Sequence, residues 1–250
     1  MTQANPCTSL IIGASSAIAQ ALIEQLLDGH GENQVVAISR SKGVVDNNQL
    51  EQWQERLQWM QTDYSEQSIE EIVSKLQADD RHFDQIFMCN GILHNEQIAP
   101  EKRLQDLNLE ALQKIMQVNA FTPLLWLKHL QPLVKGKRPC VITAFSARIG
   151  SIEDNGRGGW YAYRASKAAL NMLLKTAAIE IRRLSPNVKF LAFHPGTTDT
   201  PLSKPFQGNV PDDKLFTPEF VATQLLGIIG SLTDDEVLHY LDWEGKSIDW

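Results

Sequence analysis

Short runs of apolar and β-branched residues alternate along this chain with longer stretches in which apolar residues recur every three or four positions. The runs predict buried parallel β-strands, which are almost continuously apolar, and the spaced pattern predicts amphipathic helices. Ser65 and Ser68 are both possible caps of the second helix, and Thr217 is the expected cap of the last, with Pro218 at its first position. The predicted strands cover 8–12, 34–39, 57–62, 85–89, 140–145, 189–194 and 237–241, and the predicted helices cover 17–27, 65–78, 109–134, 161–184 and 218–232.

This alternation predicts an α/β fold. Strand–helix–strand units with right-handed crossovers give a Rossmann-type, doubly wound parallel sheet, here of about seven strands with helices on both faces. No repeat or low-complexity linker divides the 250 residues, so we expect a single domain over 1–250. Two long irregular segments, 146–160 and 195–216, each follow a strand. Ligands of open α/β sheets bind beyond the carboxyl ends of the strands, so both segments are candidate functional loops.

Composition and charge narrow the function classes. The net charge of -7 and the lack of a Lys/Arg cluster argue against nucleic acid as a partner. No apolar run approaches the roughly 20 residues that span a bilayer, and the polar N-terminus does not read as a signal peptide, so no membrane association is expected. Cys7, Cys89 and Cys140 are widely spaced and form no C-x-x-C pair. They predict reduced thiols in a cytoplasmic protein, with no metal site.

The first predicted strand runs directly into a Gly-Ser turn and then a helix that includes Ile18. Gly13 lets the chain reverse tightly, so that backbone N–H groups and the helix N-terminus can bind a pyrophosphate. Ser15 and Ser16 offer further hydroxyl donors. The alternative is a plain structural turn, since this arrangement occurs in many α/β proteins.

The tip of the second predicted strand carries a basic residue where cofactor specificity is decided in this fold. An acid there binds the free ribose hydroxyl of NAD, whereas an arginine accommodates the extra phosphate of NADP. Arg40, with Lys42 close by, therefore predicts NADP rather than NAD, the alternative being a solvated basic loop. Asp63, just past the third strand, is a candidate acceptor for the adenine amino group, or alternatively a helix-capping residue.

Tyr163 and Lys167 lie four positions apart in a predicted helix, which puts both side chains on one face. A neighbouring ammonium favours the phenolate and lowers the pKa of a tyrosine, which can then exchange a proton with a carbonyl or alcohol oxygen. A Tyr-x-x-x-Lys pair alone is common on exposed helix surfaces that have no catalytic role. The long loop that precedes the helix, at the same end of the sheet as the Gly13 turn, favours the catalytic interpretation.

Five motifs in order, at 13–19, 89–91, 118–120, 163–167 and 195–200, carry a family resemblance. The chain resembles the short-chain dehydrogenase/reductases over nearly its whole length, and 159–167 and 194–197 resemble the C-factor (cell–cell signalling) branch. The resemblance implies that Tyr163 is the catalytic acid–base, that Lys167 lowers its pKa and holds the cofactor ribose, and that Asn119 helps to hold a water in a proton relay. The alternative for Asn119 is a helix-interior amide that bonds its own backbone.

The resemblance also implies cofactor contacts along the rest of the cleft. Two residues would line the adenosine side, Asn90 and Gly91. Four would hold the nicotinamide amide, Pro195, Gly196, Thr198 and Thr200. The alternative for Pro195 and Gly196 is an ordinary turn.

Three departures from the family pattern qualify these expectations. Ala17 and Ala19 replace glycines of the phosphate turn, which predicts weaker cofactor binding. The family's Asn-Asn-Ala-Gly is Met-Cys-Asn-Gly at 88–91. Ala147 stands at the position of the catalytic serine. Ser146, which naively points away because strand residues alternate, and Ser151 are the candidate replacements.

The sequence therefore predicts an NADP-dependent oxidoreductase that interconverts a carbonyl and an alcohol. The alternative is a catalytically weak cofactor-binding or cell-signalling protein on the same fold. The expected pocket wall suits an apolar or aromatic carbonyl, although the same residues could be ordinary packing: Leu93, His94, Ile152, Trp160, Leu202 and Phe206. Apolar faces on the helices at 109–134 and 161–184 predict a homodimer or homotetramer, unless those faces cover the sheet.

Overall fold

The computed structural model describes residues 6–29, 32–41, 52–53, 55–233 and 235–250; Lys42 lies outside them. Seven parallel strands form the main sheet of these described residues. The strands are β1 (Thr8–Ile12), β2 (Gln34–Ser39), β3 (Leu57–Gln61), β4 (Gln85–Met88), β5 (Cys140–Phe145), β6 (Val188–His194) and β9 (His239–Asp242). Their order in the sheet is β3-β2-β1-β4-β5-β6-β9. The order reverses between β1 and β4, which opens the crevice where doubly wound sheets bind ligands.

Helices cover both faces of the sheet, as predicted. On one face, α1 (Ala17–Gly29) and α6 (Pro218–Ser231) pack on Ile11 and its neighbours. On the other face lie α2 (Glu66–Ala78), α4 (Thr122–Leu130) and α5 (Tyr161–Leu184). Helix α3 (Leu109–Met116) packs through Ile115 against Ala162 of α5. Successive strand residues such as Leu10 and Ile11 enter opposite cores, since strand side chains alternate. The predicted α/β architecture is therefore confirmed.

The predicted continuous helix over 109–134 is wrong in detail. A π-helical segment, Gln117–Phe121, separates α3 from α4, and a 3-10 turn, Gln131–Val134, follows. Pro123 explains the break, because a proline inside a helix has no N–H to donate to the carbonyl four residues earlier. That carbonyl belongs to Asn119, so the interruption lies at a predicted site residue.

The structure shows which residues cap two of the predicted helices and where the last strand lies. The Ser65 side chain caps α2 by accepting from the backbone N–H of Ser68 at 3.2 Å, and Thr217 caps α6 by accepting from Phe220 N–H at 3.2 Å. The last strand covers 239–242 instead of 237–241. Among the described ranges, no helix has both the length and the apolar character needed to cross a membrane.

The loop that follows β6 contains a small sheet of its own. β7 (Thr197–Thr198) pairs in parallel with β8 (Leu215–Phe216), so the two ends of the 199–214 segment are held side by side. Two 3-10 helices, Lys204–Asn209 and Asp212–Lys214, lie between them. We call residues 199–214 the lid.

Candidate active site

The Gly13 turn joins β1 to α1 at the crevice of the sheet. Gly13 has φ +82, and an added Cβ would lie only 2.6 Å from the backbone nitrogen of Asn90, so no larger residue fits. The backbone N–H groups of Gly13 and Ala14 both donate to the carbonyl of Ile38. The turn is therefore held between the ends of β2 and β4, where a dinucleotide pyrophosphate binds in doubly wound folds.

The serines that follow have different environments. Ser16 caps α1, because its hydroxyl accepts from the backbone N–H of Ala19 at 3.4 Å. Ser15 is exposed at the mouth of the turn, and Ile18 is half-buried against the core under α1. Of the two predicted hydroxyl donors, Ser15 is the one that faces solvent.

The tips of β2 and β3 meet beside this turn. Arg40 is exposed, and its charge acts on the neighbouring Tyr64, whose pKa burial nevertheless raises to about 12. Tyr64 has φ +64, and its hydroxyl reaches the backbone of Gly13. Asp63 is exposed, and its Oδ1 accepts from the backbone N–H of Ser65 at 2.8 Å, so Ser65 lowers the pKa of the Asp63 carboxyl. Asp63 thus organises the start of α2, and its adenine contact stays a prediction.

Asn90 and Gly91 form the floor between the two ends of the crevice. The Asn90 amide donates to the carbonyl of Val118 at 2.9 Å, while its buried Oδ1 has no partner among the described protein atoms. Gly91 is exposed, and an added Cβ would lie 3.7 Å from Asn119 Oδ1 and 3.8 Å from Lys167 Nζ. A nicotinamide dinucleotide fits this arrangement. The Gly13 turn has no room for a side chain, the Asn90 amide oxygen has no protein partner among the described atoms, and Arg40 lies beside them.

Tyr163 and Lys167 lie at the other end of this floor. Lys167 is 3% exposed; its Nζ lies 5.6 Å from the centroid of the Tyr163 ring and donates to the carbonyl of Phe145 at 2.7 Å. Burial raises the pKa of the half-buried Tyr163 and lowers the pKa of Lys167 to about 8. Tyr163 therefore carries its proton at neutral pH. Burial acts against the predicted lowering of its pKa by Lys167, which stays a prediction.

Asn119 ties three segments together from a fully buried position. Its Oδ1 accepts from the backbone N–H of Ile92 at 2.7 Å, and its Nδ2 donates to the carbonyl of Ile92 and to Ser166 Oγ. Ser166 Oγ in turn donates to the carbonyl of Tyr163 at 2.8 Å. Pro123 has no N–H to donate to the Asn119 carbonyl, which favours acceptance by that oxygen of a hydrogen bond from another donor.

The segment with the missing serine is held from inside the protein. Ser146 Oγ donates to Asn171 Oδ1 at 2.6 Å, and Ser151 Oγ accepts from the backbone N–H of Asp154 at 3.1 Å. Both serines are buried. Since Ser146 is committed to Asn171, its place in the catalytic set stays a prediction that this geometry does not favour.

The predicted nicotinamide segment follows β6. Gly196 has φ +71, and an added Cβ would lie 2.6 Å from the ring of Phe216, so this turn also requires glycine. The buried Thr198 donates to the carbonyl of Pro195 at 3.4 Å. The backbone N–H of Thr200 contacts Ser203 Oγ at 3.4 Å. The segment is therefore a fixed edge at the base of the lid.

The lid rests on aromatic side chains next to Tyr163. The ring of Phe206 lies 4.9 Å from Trp160 and 5.5 Å from His94, and Trp160 lies 6.3 Å from Tyr163. His94 Nε2 is 3.0 Å from the carbonyl of Leu202. The structure thus brings together most of the predicted pocket wall. Of its two other members, Leu93 is buried and Ile152 is 80% exposed.

Sequence reasoning missed several polar residues of this region. Tyr240 donates its hydroxyl to the carbonyl of Ala147 at 2.6 Å, from 93 positions away. Glu101 is 4% exposed and contacts the start of α5. In the sequence it stands next to Lys102 and Arg103, a charged run that is typical of solvent-exposed surface. Of these residues, Tyr64 is the one whose place near the site the sequence could have indicated, because it directly follows the predicted adenine contact Asp63.

The family model for short chain dehydrogenase matches residues 8–210. The chain belongs to the short-chain dehydrogenase family. The predicted family is therefore confirmed, and with it the assignment to a family of dehydrogenases and reductases.

Curated relatives of this short-chain dehydrogenase are similar at low identity. It is 27% identical to 1-hydroxy-2-glutathionyl-2-methyl-3-butene dehydrogenase of Rhodococcus sp. (strain AD45), over 97% of this chain and 99% of the relative. It is also 27% identical to the (S)-benzoin-forming benzil reductase of Bacillus subtilis (strain 168), over 90% and 94%. The C-signal of Myxococcus xanthus is 27% identical over 59% of this chain and 83% of the relative.

Solved structures show the same fold. The carbonyl reductase from chicken fatty liver, solved with NADPH bound, gives a TM-score of 0.82 at 23% identity, over 99% of this chain and 100% of that chain. A short-chain dehydrogenase/reductase from Burkholderia multivorans with bound NADP gives 0.82 at 24% identity, over 98% and 100%. The predicted sheet and its flanking helices are thus those of the family.

Proposed function

We propose that this short-chain dehydrogenase is an NADP-dependent reductase that interconverts a ketone or aldehyde and its alcohol. The observation that carries the proposal is the pairing of a proton-bearing Tyr163 with the buried Lys167, beneath an aromatic wall. A tyrosine that keeps its proton at neutral pH is suited to act as an acid toward a developing alkoxide. The carbonyl reductases with the same fold support this chemistry.

The cofactor would lie along the floor from the Gly13 turn to Lys167. When bound, reduced nicotinamide supplies a hydride to the carbonyl carbon. The Gly13 turn would hold the pyrophosphate, with Ser15 adding a hydroxyl, and Arg40 would pair with the ribose phosphate of NADP. Lys167 would bond the nicotinamide ribose, and the 195–200 edge would fix the amide group.

The chain's own residues would supply and replenish the proton. Tyr163 would donate to the carbonyl oxygen, and the Lys167 ammonium would stabilise the phenolate that this leaves. The carbonyl of Asn119, four residues before Pro123, would hold a water that returns a proton from solvent. With Ala147 in place of serine, Tyr163 would be the main donor to the substrate oxygen, which predicts a slow enzyme.

The wall indicates the substrate class. Trp160, Phe206 and His94 present aromatic surface beside Tyr163, which suits an apolar or aromatic carbonyl. The benzil reductase of Bacillus subtilis, a relative named for an aromatic diketone, supports this choice. We further propose one domain over 1–250, a homodimer or homotetramer, and a cytoplasmic location.

A second function is favoured by specific residues. Ala147 removes a catalytic hydroxyl, Ala17 narrows the phosphate turn, and the C-signal of Myxococcus xanthus is a relative. A protein that binds the cofactor for signalling and turns over weakly would fit these features.

The test is the variant Tyr163→Phe, with Tyr161→Phe on the same helix as the matched control. We expect Tyr163→Phe to lower kcat by about 10²–10⁴-fold, because the proton donor is lost, and to leave NADPH binding nearly unchanged. Turnover of an aromatic ketone panel and NADPH fluorescence titration measure the two effects. Full activity in Tyr163→Phe would exclude this mechanism. Tight NADPH binding by the wild type without turnover of any panel member would favour the second function.

A further inference from the structure

Helix α5, which carries Tyr163 and Lys167, begins without a cap of its own. The N-cap residue is Trp160, whose side chain makes no capping hydrogen bond, and whose backbone is left-handed at φ +52. The first N–H groups of any helix lack partners within the helix, so an uncapped start frays. Something outside α5 must therefore hold the end at which Tyr163 lies.

Glu101 supplies that cap from a distant part of the chain. Its Oε2 accepts from the backbone N–H of Ala162 at 3.3 Å, at the second helical position, where capping side chains normally bond. Its own carbonyl accepts from the backbone N–H of Trp160 at 2.6 Å. A carboxylate also interacts favourably with the positive end of the helix dipole. One buried residue thus satisfies two donors at the start of α5.

The segment that carries Glu101 also contacts the relay and the lid. Ile92 bonds Asn119 through both of its backbone groups, and His94 contacts the carbonyl of Leu202 in the lid. Between them and Glu101, Ile98 packs with Ile115 and Ala162 in a small core of its own. Residues 92–101 therefore join the proton relay, the lid and the start of α5.

We infer that Glu101 is a positioning residue for the reaction, and this inference rests on the proposed reductase function. Its cap fixes the first turn of α5, and so the place of Tyr163, one residue beyond the bonded amide. It also holds Trp160 in the left-handed conformation that turns its ring toward Phe206 and Tyr163. The cleft has a phosphate end, at the Gly13 turn and Arg40, and a chemical end, at Tyr163 and Lys167. Loss of the cap would leave the phosphate end intact and disturb the chemical end.

The experiment compares Glu101→Ala with Glu101→Gln, which keeps an oxygen acceptor for Ala162 without the charge. The matched control is Glu110→Ala, because Glu110 lies in the first turn of α3, whose start Asn108 already caps at 2.9 Å. Hydrogen exchange of the 158–166 segment measures whether the start of α5 is capped, and it does not depend on turnover. NADPH affinity, together with kcat and KM for an aromatic ketone, measures the effect of the cap on cofactor binding and catalysis.

We expect Glu101→Ala to speed exchange in 158–166 and to lower kcat by about 10- to 100-fold, as misplacement of a catalytic group does. NADPH affinity should change less than about twofold, because Glu101 lies outside the residues that are proposed to hold the cofactor. Glu101→Gln should recover most of the protection and most of kcat, and Glu110→Ala should match the wild type in both.

Three results would overturn the inference. The first is unchanged exchange in 158–166 of Glu101→Ala, and the second is faster exchange with unchanged kcat. If the wild type turns over no carbonyl, the proposed function fails by itself, and the exchange measurement still decides whether Glu101 caps α5. A general loss of NADPH binding in both Glu101 variants would also count against it, because it would show a global defect.

Discussion

The two ends of the cleft are built from different parts of the chain. At the phosphate end, backbone geometry carries the site: Gly13 has no room for a side chain, and Ser15 and Arg40 are exposed. At the chemical end, buried side chains carry it, with Lys167 and Asn119 both at or below 3% exposure. The comparison teaches that backbone shape defines one end of the cleft, while burial sets the pKa values at the other.

The largest expected effect tests the backbone character of the phosphate end. Gly13→Ala places a methyl group 2.6 Å from Asn90 N at φ +82, so the free energy of unfolding should fall by about 2–4 kcal/mol. NADPH affinity should fall with it, because the turn must move. Thermal unfolding and NADPH titration measure both changes.

Gly29→Ala is the control for that substitution, since an added Cβ at Gly29 meets nothing within 4 Å. It should leave both quantities near the wild type. If Gly13→Ala behaved like Gly29→Ala, the phosphate end would not depend on backbone shape, and the comparison between the ends would be wrong.

The next effect tests burial at the chemical end through pH. Lys167 has its pKa lowered to about 8, against about 10.5 in the unfolded chain, so between these values the unfolded state binds more protons. The stability contributed by this group therefore rises with pH in that window, by about 1 kcal/mol from pH 8 to pH 9. Denaturant unfolding should show this rise in the wild type relative to Lys167→Met.

Lys128→Met serves as the control at an exposed site. Glu66 raises the pKa of Lys128, which therefore stays charged in both states between pH 8 and pH 9 and contributes no slope there. Equal slopes in the wild type and Lys167→Met would show that burial does not set the pKa of Lys167.

A smaller effect tests the missing hydroxyl. Ala147→Ser restores a donor at the position of the family's serine. We expect kcat to rise about 10-fold, which is part of the roughly 3 kcal/mol of barrier that one such donor is worth when well placed. Steady-state kinetics on an aromatic ketone measure the change. If Ser146→Ala or Ser151→Ala lowered kcat about 10-fold and Ala147→Ser had no effect, a neighbouring serine would already fill the role.

The smallest effect tests charge at the phosphate end. Arg40→Gln should weaken NADPH binding about 3- to 5-fold and NADH binding much less, since an exposed charge pair with a phosphate is screened by solvent. Titration with both cofactors measures the ratio, with Arg183→Gln on exposed helix surface as the control. An equal loss for both cofactors would remove Arg40 as the basis for NADP preference.

The fold and part of the site could be predicted because their signals are local. Buried parallel strands can be recognised as apolar runs. The Gly13 turn directly follows such a run, and Tyr163 and Lys167 are only four positions apart. The apolar spacing over 109–134 passes through Pro123 without a break, so periodicity alone could not locate the π-helical segment.

The remaining parts of the site depend on distant partners. Ser146 meets Asn171 across 25 positions, Ala147 meets Tyr240 across 93, and Glu101 meets Ala162 across 61. No local pattern marks such pairs, because they form only when the ends of β4, β5, β6 and β9 come together. The direction of the Tyr163 pKa shift likewise depends on burial, which a sequence does not show.

Trp160 sets backbone strain against an aromatic contact. It holds a left-handed backbone conformation directly after Gly158 and Gly159, and glycine would relieve a strain of about 1–2 kcal/mol at this position. Backbone preference alone therefore favours glycine or asparagine here. The indole gives up that part of the stability for a ring that packs on Phe206 and faces Tyr163, so the same residue that strains the chain shapes the pocket.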